Sequence, residues 1–134
     1  PQFPFGYGLT YTTFEYDNLQ MPESMVQGEP VSISLTIRNA GLVTGKEVIQ
    51  LYIRDPESSL ARPVKELKRF EKVTLEPGEK TEISFRLNDE ALAFYDPYQG
   101  QWVVEPGQYD VLIGSSSRDI RLSGSFTLEE STDL

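Results

Sequence analysis

Residues 31–38 alternate apolar and polar side chains without a break. Val31, Ile33, Leu35 and Ile37 share one parity, and Ser32, Ser34, Thr36 and Arg38 share the other. A period of two puts each set on its own face of a pleated strand, a pattern that a helix of 3.6 residues per turn scatters around its surface. Residues 81–87 repeat it, with Ile83, Phe85 and Leu87 inward. Near the end, Ile120, Leu122, Phe126 and Leu128 oppose Asp119, Arg121, Ser123, Ser125 and Thr127. Each run predicts a half-buried strand of an antiparallel sheet with one wet face.

Two runs, residues 47–53 and 109–113, are apolar on both parities, which predicts central strands covered on both faces. Residues 11–16 are aromatic and β-branched and predict a first strand. Leu67, Phe70 and Val73 recur at every third position. That spacing fits a helical stripe or a bulged strand. The few residues between Pro63 and the turn at Glu76-Pro77-Gly78 are too short for a stable helix, so a bulged strand is expected. Asn39-Ala40-Gly41, Thr44-Gly45, Asp96-Pro97 and Glu105-Pro106-Gly107 punctuate the remaining runs with residues that preset turns. Short strands with turns at such spacing predict a β-sandwich. Helix is expected only around Asp89-Glu90-Ala91-Leu92. Pro106-Gly107-Gln108-Tyr109 fits a tyrosine corner, in which the phenol bonds back to nearby backbone, or simply a tyrosine after a turn.

At 134 residues the chain suits one globular domain that stands without staples. Cysteine and histidine are both absent, which removes disulfides, thiolate or imidazole metal sites and histidine-based nucleophilic catalysis together. The absence of cysteine is compatible with a cytosolic or a secreted location. A formal charge of −9 repels nucleic acid and anionic membrane surfaces alike. No apolar run approaches the roughly 18 residues of a membrane span, and the start lacks a basic leader and an initiator Met, so the chain reads as a piece of a longer or processed one.

Acids are plentiful, and a retaining glycosidase needs two carboxyl groups roughly 5 Å apart. The dense spots, Asp55/Glu57 and Asp89/Glu90, lie in turn-rich sequence and read as solvated turn acids or caps. No calcium-loop pattern occurs. Gly6-Tyr7-Gly8 lacks the third glycine and the lysine of a phosphate loop, and Ser115-Ser116-Ser117 has no base beside it. No cofactor or metal is implied. Aromatic clusters are the remaining signal. Tyr95, Tyr98 and Trp102 surround Asp96-Pro97, and Tyr7, Tyr11 and Phe14 gather near the start. Either set fits a carbohydrate-stacking platform or core and interdomain packing; the strand-like Trp102-Val103-Val104 favours packing for Trp102.

Phe3-Pro4-Phe5-Gly6-Tyr7-Gly8-Leu9-Thr10-Tyr11-Thr12-Thr13-Phe14 resembles the segment leading into the C-terminal fibronectin type III-like domain of family 3 glycoside hydrolases, the β-glucosidases and β-xylosidases. The resemblance continues through Asn39-Ala40-Gly41, residues 45–52, residues 62–73 from Arg62-Pro63-Val64 to Lys72-Val73, and Leu75-Glu76-Pro77-Gly78-Glu79. It closes with Trp102-Val103-Val104-Glu105-Pro106-Gly107-Gln108-Tyr109 and Gly114-Ser115-Ser116-Ser117, so it covers nearly the whole chain in order.

The resemblance implies an all-β, immunoglobulin/fibronectin type III-like sandwich of two antiparallel sheets. In that family the catalytic groups lie in a barrel and an α/β domain, and neither is present here, so no catalytic residue carries over. The expected role is a non-catalytic accessory domain that packs on those catalytic domains of the same parent chain. Residues 1–9 are read as an interdomain lead-in, 10–129 as the sandwich and 130–134 as a tail. Phe3, Phe5, Tyr7 and Leu9 lie outside the sandwich alternation and are candidate interface residues. Arg62 is a second candidate, able to fork onto a neighbouring carboxylate or to stay solvated. Two alternatives stand beside this reading: a carbohydrate-binding module using Tyr95, Tyr98 and Trp102, and an adhesion or oligomerisation sandwich.

Overall fold

The alternating runs become the two walls of a sandwich. The computed structural model describes residues 13–56 and 65–130. Ten strands follow in order: β1 Phe14–Gln20, β2 Ser24–Val26, β3 Val31–Asn39, β4 Gly45–Arg54, β5 Lys65–Leu75, β6 Lys80–Leu87, β7 Phe94–Asp96, β8 Gln101–Val103, β9 Gly107–Ser116 and β10 Asp119–Glu129. A single turn of 3-10 helix, Asp89–Leu92, falls where helix was expected. One sheet has the order β1-β3-β6 and the other β2-β10-β9-β4-β5, while β7 and β8 form a separate ribbon. All pairings are antiparallel except that of β2 with β10. β2 has three residues, too few for a periodic signal to announce it.

The inward parities meet as the alternation requires. Ile33 pairs with Phe85 and Leu35 with Ile83 on one sheet; Leu51 pairs with Ile113 and Ile53 with Val111 on the other. These side chains are buried, and Phe14, Met25, Leu92, Phe126 and Leu128 close the same core. Each fully buried apolar side chain contributes roughly 1.5–3 kcal/mol, which is what holds the two layers together. Tyr109 stacks on Phe126 at 5.9 Å and 21°, and its hydroxyl donates to the Glu105 carbonyl four residues back. The tyrosine corner is therefore formed, and burial pushes the phenol pKa up.

The first strand begins at Phe14, so Tyr11 of the expected strand lies outside the described residues. β5 is the bulged strand that was expected. Leu51 pairs with Arg69 but Tyr52 with Leu67, which leaves Lys68 as the extra residue. β4 and β9 are central and buried on both parities, as their composition predicts: Leu51, Ile53, Val111 and Ile113 on one face, Tyr52 and Leu112 on the other. Tyr52 pairs with Leu67 on one side and Leu112 on the other, forming an apolar row across the outer face of the larger sheet.

Arginines close both open sides of the sandwich. Arg121 of β10 donates to the Phe14 carbonyl of β1 at 2.9 Å, and Arg69 of β5 donates to the Arg86 carbonyl of β6 at 3.0 Å.

Candidate functional site

Three exposed aromatics project from the β7–β8 ribbon. Its register sets Tyr95 opposite Trp102, and their rings meet edge to face at 5.6 Å and 72°. The connecting turn is rigid for local reasons. Asp96 accepts the Tyr98 N–H on its carboxylate and the Gly100 N–H on its carbonyl, both at 2.8 Å. Gly100 takes φ +66, a left-handed conformation that favours glycine. Lys68 ties the ribbon to the β5 bulge. Its ammonium pairs with Glu66 at 2.8 Å, donates to the Ala93 carbonyl at 3.1 Å, and lies 5.2 Å from the Phe94 ring and 5.9 Å from the Trp102 ring.

Trp102 thus packs on its own ribbon and on a lysine, not in the core, and remains 62% exposed. Tyr95 and Tyr98 are exposed as well. Phe3, Phe5, Tyr7, Leu9 and Arg62 lie outside the described residues, as does Glu57.

The acidic turns divide. Asp55 is buried at 5% exposure, contrary to the solvated turn acid expected, and its charge helps raise the Tyr109 phenol pKa. Asp55 stands directly before Pro56, and that turn-like position carried no hint of its burial. Asp89 accepts the Gly28 N–H on both carboxylate oxygens at 3.0 Å, so it braces the β2–β3 loop. Ser115 donates to Asp119. Asp119 also pairs with Arg121 at 2.8 Å, and Arg121 lies 5.1 Å from the Tyr16 ring. Tyr16 in turn donates to Glu47 at 2.8 Å.

Arg121, followed by Ser115, holds the Asp119 carboxyl below the ordinary carboxylate pKa. A carboxylate so stabilised is a poor proton acceptor, and the cluster acts as a clamp between the sheets. Because its folded pKa is depressed, its contribution is present above the unfolded pKa and disappears as pH falls through the folded one. Asp119 is 40% exposed, so solvent screening leaves about 0.5 kcal/mol. Wild type is therefore expected to exceed Asp119→Asn by about that amount near neutrality in urea melts, with the gap closing in acid. A gap that widened in acid would contradict the clamp.

Two layers with a tyrosine corner and arginine-closed sides define an immunoglobulin-like β-sandwich module. The fibronectin type III-like domain family matches residues 47–117. The chain belongs to that family, and its relatives are glycoside hydrolases of the family 3 type. A β-glucosidase of Bacteroides ovatus is 49% identical over 130 residues, covering 96% of this chain and 17% of the relative. The thermostable β-glucosidase B of Acetivibrio thermocellus is 43% identical over 135 residues, covering 100% of this chain and 18% of the relative. The crystal structure of a Listeria innocua β-glucosidase superposes with a TM-score of 0.82 at 41% identity, again over 100% of this chain and 18% of that one. The chain thus spans less than a fifth of the length of these relatives.

Proposed function

We propose that this chain is the C-terminal, non-catalytic accessory domain of a family 3 glycoside hydrolase whose parent enzyme cleaves terminal β-glucosides or related β-glycosides, and that it stabilises the catalytic domains by packing on them. The observation that carries the reading is similarity along nearly the whole chain to less than a fifth of several β-glucosidases. The remainder of each relative is several times larger, and catalytic groups belong there. The described acids support this. Asp89 is spent on a backbone N–H and Asp119 on Arg121.

Within this reading residues 1–9 are the interdomain lead-in, 10–129 the sandwich and 130–134 the tail. Phe3, Phe5, Tyr7 and Leu9 bury against the catalytic domains, with Arg62 reaching a carboxylate there. Interfaces of this kind cover about 600–1,500 Å².

The test has two arms. The 134-residue chain alone is expected to release no p-nitrophenol from an aryl β-glucoside. Grafted in place of the corresponding domain of the Bacteroides ovatus β-glucosidase, it is expected to raise the melting temperature well above that of the domain-deleted enzyme. Turnover by the chain alone, or a graft no more stable than the deletion, overturns the proposal.

A further inference from the structure

We infer that the β5 edge and the β7–β8 ribbon form one docking surface, and that its occupant is the catalytic part of the same parent polypeptide. This seat presupposes the accessory role proposed above. Of the six large apolar side chains left exposed among the described residues, Leu67, Phe70, Tyr95 and Trp102 lie on these two elements. They are 46%, 58%, 47% and 62% exposed. Lys68 joins the two groups: it is the bulge residue between Leu67 and Phe70, and its ammonium reaches the Trp102 ring. Inboard, the outer-face row runs from Leu67 through Tyr52 to Leu112, so the patch has a packed floor. Exposed apolar side chains gathered on two elements that one residue bridges are the kind of surface that marks an interaction site.

Three observations select the occupant. First, a second copy pairing edge to edge is opposed by charge. The positions of β5 that share the parity of its buried Leu75 include Glu66, Arg69 and Glu71, and inward-pointing charges on an edge strand are the usual block to sheet extension. Second, a flat sugar platform is absent. Tyr95 and Trp102 stand at 72° to each other, and Lys68 lies over the indole, so the two rings offer no common plane to successive pyranose rings. Third, the surface suits a protein partner of opposite charge. The chain carries −9 in total, yet the outward positions of β5 beside Leu67 and Phe70 are Lys65 and Lys72 with no acid among them, which sets a basic rim beside the apolar centre. The relatives hold more than four fifths of their length outside the matched domain, which supplies such a partner within the same chain.

The test uses the Bacteroides ovatus graft and the free 134-residue chain, each with Phe70→Asp and Trp102→Ser together. Both side chains are exposed in the domain, so the free variant is expected to melt within about 2 °C of the free wild type. In the graft the same pair is expected to lower the melting temperature by about 5 °C or more and to shorten the half-life of activity on heating severalfold. If the wild-type graft stabilises the enzyme but the variant graft matches it, this docking surface is wrong while the accessory role stands. If the wild-type graft itself fails to stabilise, the accessory role falls and the surface with it. Saturable laminaribiose binding by the free chain that the variant abolishes would overturn the inference in favour of a sugar surface. A concentration-dependent dimer abolished by the variant would overturn it in favour of self-association.

Discussion

Replacing Asn39 by alanine is expected to cost the isolated chain about 3 kcal/mol, because three buried or half-buried polar groups lose their partner in one step. Asn39 is 0% exposed at the end of β3. Its amide nitrogen donates to the Val43 and Leu75 carbonyls, both at 2.9 Å, and its amide oxygen accepts the Gly41 N–H at 2.8 Å. Those bonds fold the β3–β4 turn back onto the end of β5. Its own backbone exchanges two further bonds with Glu79 and Gly78, fixing the β5–β6 turn to the same point. Alanine would take the partner from the buried Leu75 carbonyl and from the half-buried Val43 carbonyl and Gly41 N–H together.

Aspartate at this position separates packing from polarity, since its shape is nearly that of asparagine. An ionised carboxylate there faces two carbonyl oxygens, so the folded state favours the protonated acid and its pKa rises. For a carboxyl group with a raised folded pKa the variant is least penalised below the unfolded pKa, and the penalty grows as pH climbs from about 4 towards the folded value. Urea melts of wild type, Asn39→Ala and Asn39→Asp from acid to neutral pH check both points. A loss under about 1 kcal/mol for alanine, or an aspartate deficit independent of pH, would remove Asn39 from its place as the knot between the two turns.

Local and tertiary signals account for what could be read beforehand. Ile33, Leu35 and Ile37 were legible because the pleat and the alternation share one period. The bulge at Lys68 was legible because Leu67 and Phe70 are three apart yet lie on one face. The tyrosine corner needs only the five residues from Glu105 to Tyr109 and was equally local. Contacts between distant segments were not legible. Arg121 reaches Phe14 across 107 positions and Asp89 reaches Gly28 across 61, and neither leaves a periodic trace. Trp102 misled for a related reason. A strand-like run says which side chains share a face, but not whether the strand joins a main sheet or an exposed ribbon. The aromatic triplet was therefore identified as a surface candidate, while its neighbour Lys68, which joins it to β5, came only from the fold.

Gly114→Ala is expected to be as damaging as the Asn39 change, and for a reason of space alone. Gly114 sits in β9 where β10 starts irregularly, its neighbours pairing it with Gln50 on one side and Ile120 on the other. A Cβ there would lie 1.8 Å from the Asp119 carbonyl oxygen and 2.8 Å from the Ile120 Cα. Both are backbone atoms, so relief requires moving the start of β10. That start carries Asp119, and with it the bonds to Ser115 and Arg121 that clamp β10 to β1. Overpacking of a site that cannot yield costs about 3 kcal/mol, which for a domain of this size lowers the melting temperature by about 10 °C. Gly124→Ala is the control, because its Cβ would meet the Met21 sulfur at 2.7 Å, the far end of a flexible side chain. Met21 can turn aside, and the cost there is expected to stay near 1 kcal/mol. Thermal melts of the two variants side by side decide it. If Gly114→Ala melts no lower than Gly124→Ala, the β9–β10 approach has slack, and the glycine of Gly114-Ser115-Ser116-Ser117 would need another physical explanation.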